Sequence, residues 1–173
     1  LDGLLTSTAY HEAVDRTVLL CPLFTTEGTA DTRLGRNGEV LYSTIDGLIR
    51  SEFTPAFRKI EQDFNVGIVY GRRHFVNHDT GLRTAPEVIL IDITRIDLRR
   101  VNQFKGQLWQ RFGIDSIRYE NSWEYEQYVK LALPGLAAVE AIGGVPRDGH
   151  CIVVAHEFMG MPTALAAILS SRP

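Results

Sequence analysis

The sequence predicts a single α/β domain built around a largely parallel sheet. Short β-branched runs alternate with helical segments over the 173 residues, which is the pattern of strands joined by crossover helices. The hydrophobic share of 45% is enough for one core, and no repeat, low-complexity segment or linker divides the chain. The nearly all-apolar run at residues 151–155 indicates a strand buried on both faces, as in parallel sheets.

The first half of the chain supplies most of the predicted strands. Asn37-Gly38 predicts a tight hairpin turn, and residues 53–64 predict a short helix with Pro55 in its first turn. Four apolar runs predict strands at residues 17–22, 39–43, 66–71 and 87–93. The connection between the last two is a long polar loop containing His74, His78 and Asp79. We interpret those three side chains as ordinary loop polarity rather than as metal ligands.

Helical periodicity dominates the second half. An apolar stripe predicts an amphipathic helix over 97–112 that ends at Gly113, and its members are Val101, Phe104, Leu108 and Phe112. A second helical tract covers residues 123–142, and we expect Pro134-Gly135 to kink or divide it. After a turn at 143–150, residues 151–155 form the last predicted strand, and Pro162 lies in the first turn of the last helix.

Composition and motifs exclude several classes of protein. A net charge of −3 does not indicate a nucleic-acid partner or an anionic membrane. No apolar run is long enough to span a bilayer. Cys21 and Cys151 lie in apolar runs, so we expect buried free thiols, which fit a cytoplasmic protein and do not form a zinc site. The glycine-rich phosphate-binding motifs are absent, which disfavours a stand-alone dinucleotide or nucleoside-triphosphate enzyme.

The strongest candidate site is His156-Glu157, which follows the last predicted strand and precedes a helix N-terminus. Ligands of open α/β sheets bind beyond the carboxyl ends of strands, where an imidazole binds a hydroxyl or accepts a proton. The alternative, that His156 caps a turn and Glu157 is solvated, is left open by position alone. Gly160 occupies the place where a zinc-protease motif needs a second His, so that motif is absent.

Two weaker candidates precede it along the chain. The aromatic and polar stretch 118–128 includes Tyr119 and Asn121 and is a candidate sugar platform, although such rings commonly belong to the core or its rim. Lys105 lies on the helix at 97–112, where a surface position is the ordinary expectation. Gly106 beside it is costly inside a helix, and this predicts close packing of another backbone or a ligand.

Four stretches together resemble the N-terminal half of glycogen synthases in order and approximate spacing: GIVYGRRHF, EVILIDIT, FKGQLWQRFGID and IVVAHEFMGMPTALAAIL. The sequence KGQLW at 105–109 stands where the animal and fungal branch has a K-G-E-L-W helix. The sequence AHEF at 155–158 stands where the family has a VVAHFHEW-like strand and turn. The resemblance covers residues 66–173 well and is only general before them.

The resemblance implies the acceptor-side domain of a retaining glycosyltransferase of the GT-B type, a Rossmann-like three-layer sandwich with a mostly parallel sheet. The implied reaction transfers glucose from UDP- or ADP-glucose to an α-glucan, in glycogen biosynthesis, without metal or other cofactor. By matching motifs, His156 takes the place of the family His that contacts the transferred glucose, and Glu157 the acidic place beside it. Lys105, Tyr119 and Asn121 are the further residues that we expect to bind substrate.

Three departures from the family limit this expectation. Val154 replaces an earlier family His, and Phe158 stands where Trp is usual. The glycine-rich K-x-G-G loop and the donor-binding C-terminal domain are not found in residues 1–173, so we expect a domain truncated at both ends and inactive alone. The alternatives are a related glycosyltransferase with a different acceptor and a non-catalytic α/β module that binds a sugar or nucleotide. The oligomeric state is not predicted.

Overall fold

The computed structural model describes residues 2–35, 37–146 and 150–170. It is a mixed α/β domain with a five-stranded sheet, a separate two-stranded hairpin and helices. The helices in these residues are α1 (Asp2–Leu5), α2 (Thr8–Ala13), α3 (Thr54–Phe64), α4 (Leu98–Phe112), α5 (Trp123–Ala141) and α6 (Glu157–Ser170). The strands are β1 (Val18–Pro22), β2 (Gly38–Ser43), β3 (Leu48–Ile49), β4 (Gly67–Arg73), β5 (Phe75–Val76), β6 (Arg83–Thr84) and β7 (Glu87–Asp92). In this part of the chain, every helix is too short or too polar to cross a bilayer.

The order of strands in the main sheet is β1-β7-β4-β2-β3. Only β1 and β7 are parallel, whereas β7–β4, β4–β2 and β2–β3 are antiparallel. The expectation of a mostly parallel sheet is therefore wrong for these strands. The cause is that β4 and β7 are joined by the small β5–β6 hairpin, whereas parallel neighbours need a crossover connection such as a helix.

The helices α3 and α4 form as predicted because their local signals agree. Pro55 stands within the first two positions of α3. The Asp97 carboxylate caps α4 by accepting from the Arg99 amide at 3.0 Å, and Gly113 ends it with a φ of 68°. The long helix α5 continues as one element through Pro134 and is not divided there.

Several predicted local features are wrong. Among the described residues, a 3-10 helix at Ala30–Thr32 rather than a strand comes directly before Asn37-Gly38, and the hairpin of this region is instead β2–β3. Residues 151–155 are not a strand, and Ile152 and Val154 are 82% and 81% exposed because no neighbouring strand pairs with them. Pro162 lies inside α6, which begins at Glu157. Part of the predicted turn at 143–150 lies outside the described residues.

Both cysteines are free but exposed, contrary to the expectation of buried thiols. Cys21 belongs to β1 at one edge of the sheet, and Cys151 belongs to the unpaired run 151–155. An apolar run buries its members only where other elements cover it, and these two positions lack that cover.

The two faces of the sheet pack against different partners. One face contributes Tyr42, Ile68, Tyr70, Ile89 and Ile91 to a cluster with α3 and α5. On the other face, Val40, Val69 and Val88 pack with Leu34 from the segment that follows β1. A third cluster joins α4, α5 and α6 behind the first layer of helices. The core is therefore thickest on the α5 side of the sheet.

Arg16, just before β1, forms an ion pair with β7 and hydrogen bonds with the C-terminal end of α5. Arg16 donates to the Glu87 carboxylate at 2.6 and 3.1 Å and to the carbonyl oxygens of Ile142 and Gly143 at 2.8 and 3.1 Å. The Tyr70 hydroxyl donates to the same carboxylate at 2.5 Å. Burial raises the pKa of Glu87, but the hydrogen bonds from Arg16 and Tyr70 outweigh it and leave that pKa below its usual value.

This ion pair predicts how stability depends on pH. Because the folded pKa of Glu87 is below its unfolded value, its stabilisation is present above the unfolded pKa and is lost as pH falls through the folded pKa. We expect Glu87→Gln to lower the free energy of unfolding at pH 7 by about 1–2 kcal/mol. The loss between pH 6 and pH 3 should be smaller for this variant than for the wild type, as measured by urea unfolding. The exposed Glu52→Gln is the control, and equal pH slopes for all three proteins would contradict the assignment.

Candidate functional site

His156 and Glu157 lie at the entrance to α6, at the end of the exposed run 151–155. Both side chains are exposed. No described side chain or backbone group is hydrogen-bonded to the His156 ring. The site prediction therefore falls on an accessible imidazole at the first turn of a helix, whose amide groups favour anions and electronegative oxygens.

The backbone of this turn is tight and strained. The Gly160 amide donates to the His156 carbonyl oxygen at 3.3 Å. A Cβ atom on Gly160 would lie 2.6 Å from the Ala155 Cα, so only glycine fits there. Glu157 has a φ of 54°, in the left-handed region that costs an ordinary L-residue roughly 1–2 kcal/mol. Strain of this kind is concentrated at functional sites, which makes the turn a candidate on geometric grounds.

The residues that follow Glu157 anchor the turn to α5. The Tyr128 hydroxyl donates to the Met159 Sδ at 3.1 Å, and the Phe158 ring meets the Tyr128 ring edge-on at 6.1 Å. Burial raises the pKa of Tyr128, so its phenol remains a neutral donor at physiological pH. The turn is thus held from one side while His156 faces solvent.

Tyr119 and Asn121 lie in a second exposed turn, before α5. The Tyr119 ring packs on the Tyr125 ring at 5.3 Å, and the Tyr125 hydroxyl is hydrogen-bonded to the Ser116 hydroxyl at 2.8 Å. Tyr119 is nevertheless 52% exposed, and Trp123, the first residue of α5, is 58% exposed. The exposed Tyr119 ring is thus supported by Tyr125, and Asn121 is exposed two residues further along the chain.

The helix α5 links the two turns. Tyr125 supports the Tyr119 side, and Tyr128 supports the His156 side. Both turns are therefore anchored to the N-terminal half of α5, although Tyr125 packs with the cluster of α4 and α6 and Tyr128 with the cluster of the sheet. No hydrogen bond or ring contact joins the two turns directly within the described residues.

Lys105 is not part of this exposed surface. It is buried between α4 and α5, where its ammonium forms an ion pair with the Glu126 carboxylate. Removing one member of a buried ion pair is costly, because the remaining charge is left buried without a partner. Lys105 as described is therefore engaged in the fold rather than available to a ligand.

The sequence analysis missed Glu126, the partner of Lys105, and the buried Gln127 beside it in the sequence. Glu126 and Gln127 are both buried, and the Gln127 Oε1 has no hydrogen-bond partner in the described part of the chain. A signal did exist for Lys105, because it lies four residues after Val101 and three before Leu108, on the apolar face of α4. Nothing comparable in the sequence marks Glu126 as the partner.

The remaining candidates give no site. Gly106 is exposed and a Cβ atom there would meet nothing within 4 Å, so the expected close packing at this glycine is wrong within the described chain. His74 precedes the β5–β6 hairpin, and His78 and Asp79 lie in its turn, where Asn77 accepts from the Asp79 amide. Among the described residues, no three His, Cys, Asp or Glu side chains are grouped to hold a metal ion.

Two surface depressions lie elsewhere. A narrow apolar crevice is lined by Phe64, Ile96 and Leu133, and a shallow polar one by Asp97 and Gln103. Neither is lined by His156 or Tyr119. The candidate site is therefore an exposed surface, which would need a second surface opposite it to enclose a ligand.

Comparisons of the chain with protein-family models, curated proteins and solved structures find no match. The resemblance described above thus rests on the motifs of the sequence itself.

The buried ion pair can be tested by breaking it from one side. We expect Glu126→Ala to lower the free energy of unfolding by about 3–5 kcal/mol, because it leaves the Lys105 ammonium buried and unpaired. The double variant Lys105→Met/Glu126→Leu should recover most of that loss, because it removes both charges and keeps apolar volume. Chemical denaturation measures both, and a double variant no more stable than Glu126→Ala would argue against the pair.

Proposed function

We propose that this chain is the acceptor-side domain of a retaining glycosyltransferase of the glycogen synthase type. In this proposal the mixed sheet belongs to a Rossmann-like GT-B domain, and glucose passes from UDP- or ADP-glucose to the end of an α-glucan. The protein would act in the cytoplasm without a metal. The donor-binding surface would be supplied by a second domain that faces His156.

The observation that carries the proposal is the strained turn at His156. The motif match assigns His156 to the transferred glucose, and the turn exposes that ring while Met159 and Phe158 fix the turn to α5. A left-handed Glu157 and an obligatory Gly160 are costs that a simple helix start would not need. An anchored imidazole beside helix amides suits the binding of sugar hydroxyls.

Tyr119 and Asn121 supply the acceptor side of the proposed site. An exposed aromatic ring offers a flat apolar face to a sugar, and a neighbouring amide binds its hydroxyl groups. The Tyr119 ring is held by Tyr125, so little conformational entropy is lost when a ligand stacks on it. The two turns on α5 would then contact successive parts of one glucan.

In this proposal Lys105 supports the site through α5, whereas the motif suggested that it binds substrate. Its ion pair with Glu126 holds α4 against the part of α5 that supports both turns. Catalysis itself would come from positioning the acceptor and from stabilising the departing diphosphate and the oxocarbenium-like sugar. The groups that stabilise the diphosphate would belong to the second domain.

A second candidate is a non-catalytic module that binds a sugar. The observation in its favour is the Tyr119 surface, which is exposed and supported without any contribution from another domain. A glycosyltransferase with a different acceptor would use the same two turns. The two experiments below separate these functions, because one measures transfer and the other measures binding.

The catalytic role is tested with His156→Ala in the protein that carries this domain together with its donor domain. We expect glucosyl transfer from UDP- or ADP-glucose to maltoheptaose to fall about 100-fold or more. The melting temperature should be nearly unchanged, because the exposed ring has no partner in the described fold. His78→Ala, in the β5–β6 turn, is the matched control, and wild-type transfer by His156→Ala would remove the assignment.

The binding role is tested with Tyr119→Ala in the 173-residue chain. We expect the dissociation constant for maltoheptaose, measured by NMR titration, to rise about tenfold, which corresponds to about 1.4 kcal/mol. Phe24→Ala removes another exposed ring, 75% exposed, and should leave binding unchanged. Equal effects of the two variants, or no binding by the wild type, would count against the platform.

A further inference from the structure

Met159 is the oxidisable side chain in the contact that anchors the His156 turn. The chain has two methionines, and their surroundings differ. Met159 is half-buried and its Sδ accepts from the Tyr128 hydroxyl at 3.1 Å, whereas Met161 is 46% exposed and receives no hydrogen bond from the described residues. Methionine commonly fills gaps and its sulfur is a weak acceptor, so this directed contact distinguishes Met159 from a space-filling residue.

The position of the turn depends on Tyr128 in two ways. Its hydroxyl donates to the Met159 Sδ, and its ring packs edge-on against the Phe158 ring at 6.1 Å. Burial raises the pKa of Tyr128, so the phenol keeps the proton that it donates. Of the groups in these two contacts, the thioether is the one that peroxides oxidise under mild conditions.

Oxidation of Met159 breaks its contact with Tyr128 whichever lone pair of sulfur reacts. Oxygen added on the side of Tyr128 does not fit, because an O–H···O hydrogen bond alone takes about 2.7 Å and only 3.1 Å separates the phenolic oxygen from sulfur. Oxygen added on the other side withdraws electrons from sulfur, which then attracts the phenol proton less. In both cases a polar sulfoxide replaces an apolar thioether next to Phe158.

A tight backbone carries a displacement of Met159 to His156. Gly160 follows Met159, and a Cβ atom on it would lie 2.6 Å from the Ala155 Cα, so the two ends of the turn are in contact. The Gly160 amide also donates to the His156 carbonyl oxygen at 3.3 Å. Movement of Met159 is therefore not absorbed within the turn, and it changes the direction of the His156 ring.

The remainder of α6 is held independently of this contact. Pro162 and Ala166 are buried, and Leu165 and Leu169 pack with the cluster of α4 and α5. We therefore expect the change that follows loss of the Tyr128 contact to be confined to the first turn of α6. A local change of this kind alters a site without unfolding the domain.

We propose that Met159 is an oxidation-sensitive switch, and that its conversion to the sulfoxide by a hydroperoxide releases the His156 turn from α5. The sulfur lone pair bonds to the hydroxyl oxygen of the peroxide and the O–O bond breaks. The hydroxyl proton passes to the other oxygen, which leaves as water or an alcohol, so sulfur is oxidised and the peroxide is reduced. A methionine sulfoxide reductase reverses the step. The structural change concerns this chain alone, and its consequence, slower glucosyl transfer, rests on the proposed function.

The first test needs no sugar. NMR signals of the His156 ring are recorded in the 173-residue chain before and after hydrogen peroxide, with both cysteines replaced by Ser because exposed thiols react too. Met161→Leu leaves Met159 as the single thioether, and we expect its oxidation, followed by mass spectrometry, to shift the His156 signals. Met159→Leu is the matched control, in which oxidation of Met161 should leave those signals in place.

Two further measurements separate the switch from damage to the fold. Tyr128→Phe keeps the ring and removes the hydroxyl, so without peroxide it should shift the His156 signals in the same direction as oxidation of Met159 does. Sulfoxide reductase should return the oxidised Met161→Leu chain to its original spectrum. Unchanged His156 signals in Tyr128→Phe would show that the hydroxyl does not position the turn, and would overturn the proposal.

Four other results would also overturn it. Met159 could resist peroxide that fully oxidises Met161, or the His156 signals could stay unchanged once Met159 is oxidised. Oxidation of Met161 alone could shift those signals equally, which would make the Tyr128 contact irrelevant. A general loss of signal dispersion on oxidation of Met159 would show that this residue stabilises the core rather than the turn.

The consequence for function is measured in the protein that carries this domain together with its donor domain. Peroxide should lower transfer to maltoheptaose about tenfold more in Met161→Leu than in Met159→Leu, each compared with its own unoxidised form, because a misplacement of about 1 Å can cost 100-fold. Equal losses in the two variants would overturn this consequence. No transfer by either unoxidised variant would contradict the proposed function alone, since the NMR test decides the switch.

Discussion

The packing of α5 against β1 is the constraint on which the rest of the structure depends. A Cβ atom on Gly135 would lie 2.6 Å from a Leu20 methyl carbon, so helix and strand are as close as a glycine allows. On that side α5 contributes Leu131 and Ala138 to the cluster formed with the sheet. On its other side Val129 and Ala132 join α4 and α6. A helix covered on two sides needs apolar residues around most of its circumference, which is why α5 shows little amphipathic pattern.

Contacts with α5 fix the positions of both candidate turns. Tyr125 and Tyr128 lie one helical turn apart, and each holds one of the exposed turns through a ring contact. The buried pair of Lys105 with Glu126 secures the same end of α5 against α4. The candidate site is thus exposed, yet it is supported by a rigid element, the arrangement that places binding groups most accurately.

The sheet is covered unequally at β1. Helix α5 covers one face of β1, whereas the outer edge of β1 has no strand beside it in the described structure. The run 151–155 has the composition of a buried strand and the exposure of a loop. A strand is stabilised by its neighbours in the sheet rather than by its own sequence, so an apolar run without a neighbour does not become one.

The sequence alone determined those features whose causes lie within a few residues. Helices α3 and α4 follow from apolar spacing, from Pro55 and from the caps at Asp97 and Gly113. Positions of β1, β4 and β7 follow from their apolar runs.

Tertiary structure alone decided the features that depend on distant partners. The antiparallel direction of β4, the exposure of residues 151–155 and the burial of Lys105 all depend on which elements meet. Strand direction depends on the connection, and the burial of a charge depends on a counter-charge such as Glu126, 21 residues away along the chain. Periodicity reports which face of an element is apolar, but it does not report what that face will meet.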